Sequence, residues 1–224
     1  NPYQGPHGGN YYFRAQLAKS TDAIMMNFHQ YDGPYRQFIQ MIDDDLDIIG
    51  SDMGIEVDSN GDDQRYSALC SINNNFFLSY SSLTLAYGVF LQKYNSQGSA
   101  LWGSPIMIAE GDVADNLVRA IIPNHLSDGV IILYESASFM GVALNVAFVS
   151  EDGSVLSDIT VCSDCNNPQY ESHAIGDNEF VITFKTTSSS LASGVYSQII
   201  DFNGTMLADT EGEVIADVIN DQRS

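Results

Sequence analysis

FVITF (residues 180–184) is an alternating apolar run that closes on an aromatic, and the same pattern recurs at IMMNF (24–28), FFLSY (76–80) and VIILY (130–134). The closing residues are Phe28, Tyr80, Tyr134 and Phe184, separated by steps of 52, 54 and 50. Alternate residues share a face, so Phe180, Ile182 and Phe184 lie together, as do Phe76, Leu78 and Tyr80. Period-two alternation with aromatic and β-branched enrichment specifies strands. A strand-bearing unit of about fifty residues, copied end to end, specifies a propeller or another stacked β array.

A second set of anchors runs in step with the first. Gln40, Gln92 and Gln198 are each followed three residues later by Asp43, Asn95 or Asp201, and nine residues later by Ile49, Leu101 or Leu207. The third copy keeps Leu156 but has Ala147 and Ser150 at the polar places. Between the anchors lie Gln97-Gly98, Asp152-Gly153 and Asn203-Gly204. Such dipeptides signal hairpins because both residues tolerate positive φ. The first copy has Asp43-Asp44-Asp45 there, which predicts a turn of another type.

Each unit then reads as four strands. Strand A ends on the aromatic, B carries the Gln, C follows the turn (105–109, 159–162) and D precedes the next A (66–72, 117–122, 170–175). The segment 10–16 resembles a D strand, and 213–218 is the last C strand. The expected fold is all-β: a single domain over 1–224, a β-propeller of four four-stranded blades. Its repeat units are approximately 20–72, 73–123, 124–175 and 176–224, and the ring is closed by 10–16 pairing with the last blade. Closure of that kind removes edges that template aggregation. The rival is a window on a larger array. At 224 residues a domain buries about 70–75% of its unfolded surface and needs no staple for a core.

The net charge is −21, from 29 acidic and 8 basic residues. Nothing in that balance neutralises phosphates along a stripe, so nucleic acid is excluded as a partner. No apolar segment is long enough for membrane insertion. The charge itself argues for solubility.

Cys162-Ser-Asp-Cys165 is a lone C-x2-C pair, and zinc sites need a second pair or two suitably spaced histidines. The reading adopted is a local disulfide, Cys162 to Cys165, with Cys70 a buried thiol. Asp58, Asn60 and Asp62, with Gly61 and Asp63, resemble the opening of a calcium loop. Gly is fourth and Leu69 twelfth, so the EF-hand pattern fails, and the three residues stand as calcium candidates against a solvated loop. No other cofactor is implied. Asn203-Gly204-Thr205 is a sequon on an exposed turn, a candidate glycosylation site at Asn203.

No nucleophile elbow, P-loop, dinucleotide fingerprint or HExxH is present. His29, Asn27 and Lys185 are candidates to line a central channel. Trp102 is read as a plug between blades, with a sugar-stacking face as the alternative.

FVITF, a polar insert, then Gly194-Val195-Tyr196-Ser197-Gln198, Asp201, Asn203-Gly204 and Glu213-Val214 resemble one family of propeller-type repeats. These occur in tandem in large secreted and cell-surface, adhesin-like proteins, with the pattern G-F-V-V-x-W, a polar stretch, G-V-Y-A-Q-R-F-D, x-x-G, E-F-x-V. The resemblance covers all four units and is strongest in the last and the second (Gly88 to Gln92, Gly98). It departs at the Trp, here Phe or Tyr, and at the Arg after Gln, here Met, Lys and Ile. It implies a fold and an extracellular or cell-surface setting, and brings no catalytic residues.

The expectation is therefore a non-enzymatic structural or adhesive module. Its partners would be copies of itself or other surface or filament proteins. The alternatives are a carbohydrate-binding, lectin-like propeller and a polysaccharide-active glycosidase or lyase with its site over the channel.

Overall fold

The computed structural model describes residues 15–31, 34–58, 63–83, 87–111, 116–138, 141–163, 165, 169–175, 178–186, 194–208 and 212–217. Among them the regular elements are strands alone, paired antiparallel into four sheets. The first sheet holds β1 (Gln16–Lys19), β2 (Ile24–Tyr31), β3 (Tyr35–Ile42), β4 (Ile48–Ile49) and β5 (Ile55–Glu56), the last two sharing β3 as partner. The second holds β6 (Gln64–Ile72), β7 (Asn75–Ser82), β8 (Val89–Tyr94) and β9 (Ile106–Ala109). The third holds β10 (Asn116–Asn124), β11 (Gly129–Ser138), β12 (Gly141–Val149) and β13 (Val155–Cys162). The fourth holds β14 (Gln169–Ile175), β15 (Glu179–Thr186), β16 (Gly194–Asp201) and β17 (Glu213–Asp217). The architecture is all-β, multi-bladed and propeller-like.

The sheets are composed one strand out of phase with the expected units. Each D strand pairs with the A strand that follows it, as β6 does with β7. The cause is the shortness of that connection. Asn73 and Asn74 alone separate the two strands, both at positive φ (47° and 62°), which is the hairpin geometry whose twist matches the strands. The N-terminal strand follows the same rule. Of the segment 10–16 expected to close the ring, 10–14 lies outside the described residues; its last residue, Gln16, pairs with Asn27 of β2 inside the first sheet.

The polar anchors prove to be one turn used four times. Asp43, Asn95, Ser150 and Asp201 each accept the backbone N–H three residues on, at 3.0–3.1 Å. Side-chain oxygens of Asp43, Asn95 and Asp201 also accept the N–H groups two and four residues on. Gly98, Gly153 and Gly204 take the left-handed position at φ 78°, 92° and 89°. In the first copy Leu46 occupies it at φ 68°, so the expectation of a different turn type is corrected. The buried glutamines clamp strand B to the segment that leads from the turn to strand C. Gln92 Nε2 donates to the Trp102 carbonyl at 3.4 Å, and Gln198 Oε1 accepts the Ala208 N–H at 3.2 Å.

Three core clusters join successive sheets. Met25, Ile39 and Met41 meet Phe76 and Leu78; Phe77 and Leu91 meet Val130 and Ile132; Leu133 and Val146 meet Phe180, Ile182 and Phe184. Trp102 sits edge-on to Phe77, with centroids 6.0 Å apart, and touches the turn at Gly153, so it fills the gap between the second and third sheets. The repeat aromatics stack on cross-strand partners with near-identical geometry. Phe28 on Phe38, Tyr80 on Phe90 and Phe184 on Tyr196 all have centroids 5.7 Å apart and planes within 20°.

Candidate functional site

The first strands of the first three sheets run side by side. Gln16 Nε2 donates to the Ser67 carbonyl at 2.8 Å and Ser71 Oγ to the Lys19 carbonyl, so β1 and β6 run side by side. β6 packs in turn beside β10. The beginnings of β6 and β10 therefore lie together at one end of the array, and a contact between Arg119 and Tyr170 brings the start of β14 to them.

Two of these beginnings carry β-bulges. In β6 the register passes from Arg65↔Ser81 to Ala68↔Ser79, leaving Tyr66 and Ser67 opposite Tyr80, with Tyr66 at φ 50°. In β10 it passes from Val118↔Tyr134 to Ala120↔Leu133, so Arg119 is the extra residue. A bulge turns its side chain out of the ladder's alternation, and bulges gather beside functional sites.

Arg119 is turned between two aromatic rings. Its guanidinium carbon lies 5.6 Å from the Tyr66 centroid and 5.7 Å from that of Tyr170 on β14. Its Nη2 donates to Glu135 Oε2 at 2.6 Å. Glu135 is only 5% exposed, and its Oε1, like Arg119 Nε, has no hydrogen-bond partner among the described residues. Burial opposes the Arg119 charge, but the Glu135 hydrogen bond and the nearby tyrosines and carboxylate raise its pKa, so it stays a cation. On the other face of β11, in the core toward the second sheet, the Tyr134 hydroxyl donates to Asp158 Oδ2 at 2.6 Å. Burial raises the Asp158 pKa and that hydrogen bond lowers it, with burial prevailing. A fixed cation, two flanking rings and a buried carboxylate with a free oxygen can stack a ring, hold a polar substituent and accept a proton.

The expected site residues fall elsewhere. Asn27 is fully buried and donates to Ser67 Oγ at 3.0 Å, tying β2 to the first strand of the second sheet. His29 is half-buried and Lys185 is exposed. Asn60 and Asp62 lie outside the described residues; the Asp58 carbonyl accepts from Gln64 Nε2 at 3.2 Å. No cluster of three His, Cys, Asp or Glu suited to a metal occurs among the described residues. Cys162 and Cys165 are bridged with Cα atoms 6.0 Å apart, and Cys70 is a buried thiol. Asn203 is exposed on its turn. No described helix is long and apolar enough to cross a membrane.

Arg119 was not singled out from sequence. Its signal is an Arg inside the apolar run LVRAII (117–122) of a chain with only 8 basic residues.

No protein-family model matches the chain, and no curated protein sequence matches it. Solved structures do. A subtype N10 neuraminidase-like protein of A/little yellow-shouldered bat/Guatemala/060/2010 aligns at TM-score 0.56 and 11% identity, over 87% of this chain and 56% of that one. A protein of unknown function from Dyadobacter fermentans aligns at TM-score 0.57 and 9% identity, over 86% and 67%. The endo-arabinase of Bacteroides thetaiotaomicron aligns at TM-score 0.50 and 11% identity, over 82% and 72%. This chain thus spans just over half the length of the neuraminidase-like protein. Identities this low establish a shared fold. They also correct the expectation of a non-enzymatic, adhesive or filament-building module. That expectation rests on the repeat, its resemblance to repeats of surface proteins and the absence of catalytic signatures, and the same fold carries an endo-arabinase.

Proposed function

We propose that the chain is a carbohydrate-active propeller, acting on glycosidic bonds of an extracellular glycan at the end of the array where β6 and β10 begin. The observation that carries this reading is Arg119, turned out by a bulge between Tyr66 and Tyr170 and bonded to the buried Glu135. Rings supply stacking surface for a sugar, and the guanidinium orients a hydroxyl or carboxylate substituent. Glu135 Oε1 supplies the acid–base oxygen. The fold shared with a neuraminidase-like protein and an endo-arabinase agrees with a glycan substrate.

A second reading is glycan binding without turnover. Glycoside hydrolysis ordinarily uses two flanking carboxylates. Glu135 is paired with Arg119, whereas the Asp158 carboxylate is tied to Tyr134 on the opposite face of β11. Two assays separate the readings: release from fluorogenic glycosides and polysaccharides, and binding to a glycan array. Turnover on any substrate supports the enzyme, array binding alone supports the lectin, and silence in both discards the site.

A further inference from the structure

Gln37 is a fully buried amide whose side chain has no hydrogen-bond partner among the described residues. It lies on β3 opposite His29 of β2, on the face that Ile39 and Met41 turn toward the second sheet. Its exposure is 0%, and neither Oε1 nor Nε2 has a hydrogen-bond partner among the described residues. His29 Nε2 is buried without a partner as well. The backbone of Gln37 is satisfied: its N–H donates to Gln64 Oε1 at 3.1 Å, and its carbonyl accepts the Val57 N–H at 2.9 Å. The amide side chain is therefore not needed to hold the strand. Its neighbours Ile39 and Met41 show what this seam otherwise uses, and an unbonded buried amide costs stability that an apolar side chain of similar size avoids.

The surrounding groups define what would satisfy it. Asp63 Oδ1 accepts from Arg65 Nε at 2.9 Å and Asp63 Oδ2 from Arg65 Nη2 at 2.5 Å, and the Arg65 guanidinium lies 4.4 Å from the Tyr35 ring centroid. Burial, then the Arg65 charge, lower the His29 pKa against the opposing pull of Asp63, so its ring is neutral at physiological pH. A neutral imidazole nitrogen and a neutral amide together offer donors and acceptors side by side. An anionic ligand group would meet Gln37 Oε1 and Asp63, and a cationic one would meet Arg65. The complementary group is an uncharged hydroxyl that both donates and accepts.

We propose that the seam between the first and second sheets, formed by His29, Gln37 and the Tyr35–Arg65–Asp63 platform, is a binding subsite for a sugar hydroxyl, separate from the Arg119–Glu135 site. It rests on the reading that this protein handles carbohydrate. A buried water offers the same hydroxyl chemistry, and the experiment separates the two sources.

Isothermal titration with D-galactose, D-glucose and L-arabinose, run beside calorimetric melting, is applied to the wild type, Gln37→Leu and Gln37→Met. The wild type is expected to bind at least one sugar. Both Gln37 variants keep or raise the melting temperature and lose about tenfold or more in affinity. Glu135→Gln is read for glycoside turnover alone, so failure of the catalytic reading leaves the Gln37 result standing. Gln37 variants that melt lower with unchanged affinity would mark an internal water only and overturn the proposal. Wild-type protein that binds none of the three sugars overturns it too, as does failure of both Gln37 variants to fold.

Discussion

Arg119 reaches Glu135 at 2.6 Å from the single residue that β10 inserts against β11, while the second carboxylate oxygen of Glu135 has no partner among the described residues. The pair is asymmetric in burial, with side chains 25% and 7% exposed. Removing the cation strands a carboxylate that has little access to water. Arg119→Met is therefore expected to cost about 3 kcal/mol, and the double variant Arg119→Met/Glu135→Leu to recover most of it, because a buried pair replaced by apolar side chains is often near neutral. Urea denaturation of the single and double variants measures this. A double variant no more stable than Arg119→Met would mean that the charge pairing is not what the first substitution removed.

Leu46 holds the place that glycine holds in the other copies of the B–C turn, at φ 68° and 73% exposed. It gives up backbone comfort without gaining burial. Leu46→Gly is expected to stabilise by about 1 kcal/mol. Gly153→Ala acts in the opposite direction, since its Cβ would lie 2.0 Å from the Ile106 side chain at φ 92°. It is expected to cost about 2 kcal/mol. Thermal melts of both variants give the two signs.

Those turns also show how far the sequence could be read. The period of the A strands, the Gln anchors and the glycine turns all stand in the residues, because alternation and positive φ leave compositional marks. The regularity of Asp43, Asn95, Ser150 and Asp201 was visible before its purpose was: each starts the turn that follows it. Sheet membership was hidden because Asn73-Asn74 joins D to A without the glycine that advertises a tight hairpin. The Arg119 site was hidden for a related reason. A bulge breaks the period-two pattern by one residue, and only the partner strand reveals where the extra residue sits.

Phe28 and Phe184 are equivalent in the repeat and stack on their partners alike, yet Phe184 is 0% exposed and Phe28 is half-buried. Phe184 lies in the core between the third and fourth sheets, whereas the outer face of the first sheet joins none of the three core clusters. Phe184→Ala should cost about 4 kcal/mol. Phe28→Ala should cost about half that or less, in proportion to the smaller area withdrawn from water. Equal losses in urea denaturation would show that the face bearing Phe28 is packed as fully as its counterparts.

Asp158 gives the molecule a pH signature. Burial raises its pKa above the ordinary 3.8, against the Tyr134 hydrogen bond. The folded state therefore holds this proton to higher pH than the unfolded chain. Stability from this group falls as pH rises from the unfolded value through the folded one. Asp158→Asn keeps an acceptor for the Tyr134 hydroxyl and removes the charge. It should melt higher than wild type at neutral pH and flatten the fall in melting temperature as pH rises above the ordinary carboxylate value. An unchanged profile would mean that Asp158 is as well solvated folded as unfolded.

The most direct test of the account is the rate at which wild type and Glu135→Gln release product from the best glycoside found among the fluorogenic and polysaccharide substrates, with circular dichroism confirming that both are folded. The account predicts measurable turnover by the wild type and a loss of about 100-fold or more in the variant, the scale of a removed acid–base group. Turnover by a folded Glu135→Gln protein at the wild-type rate would contradict it.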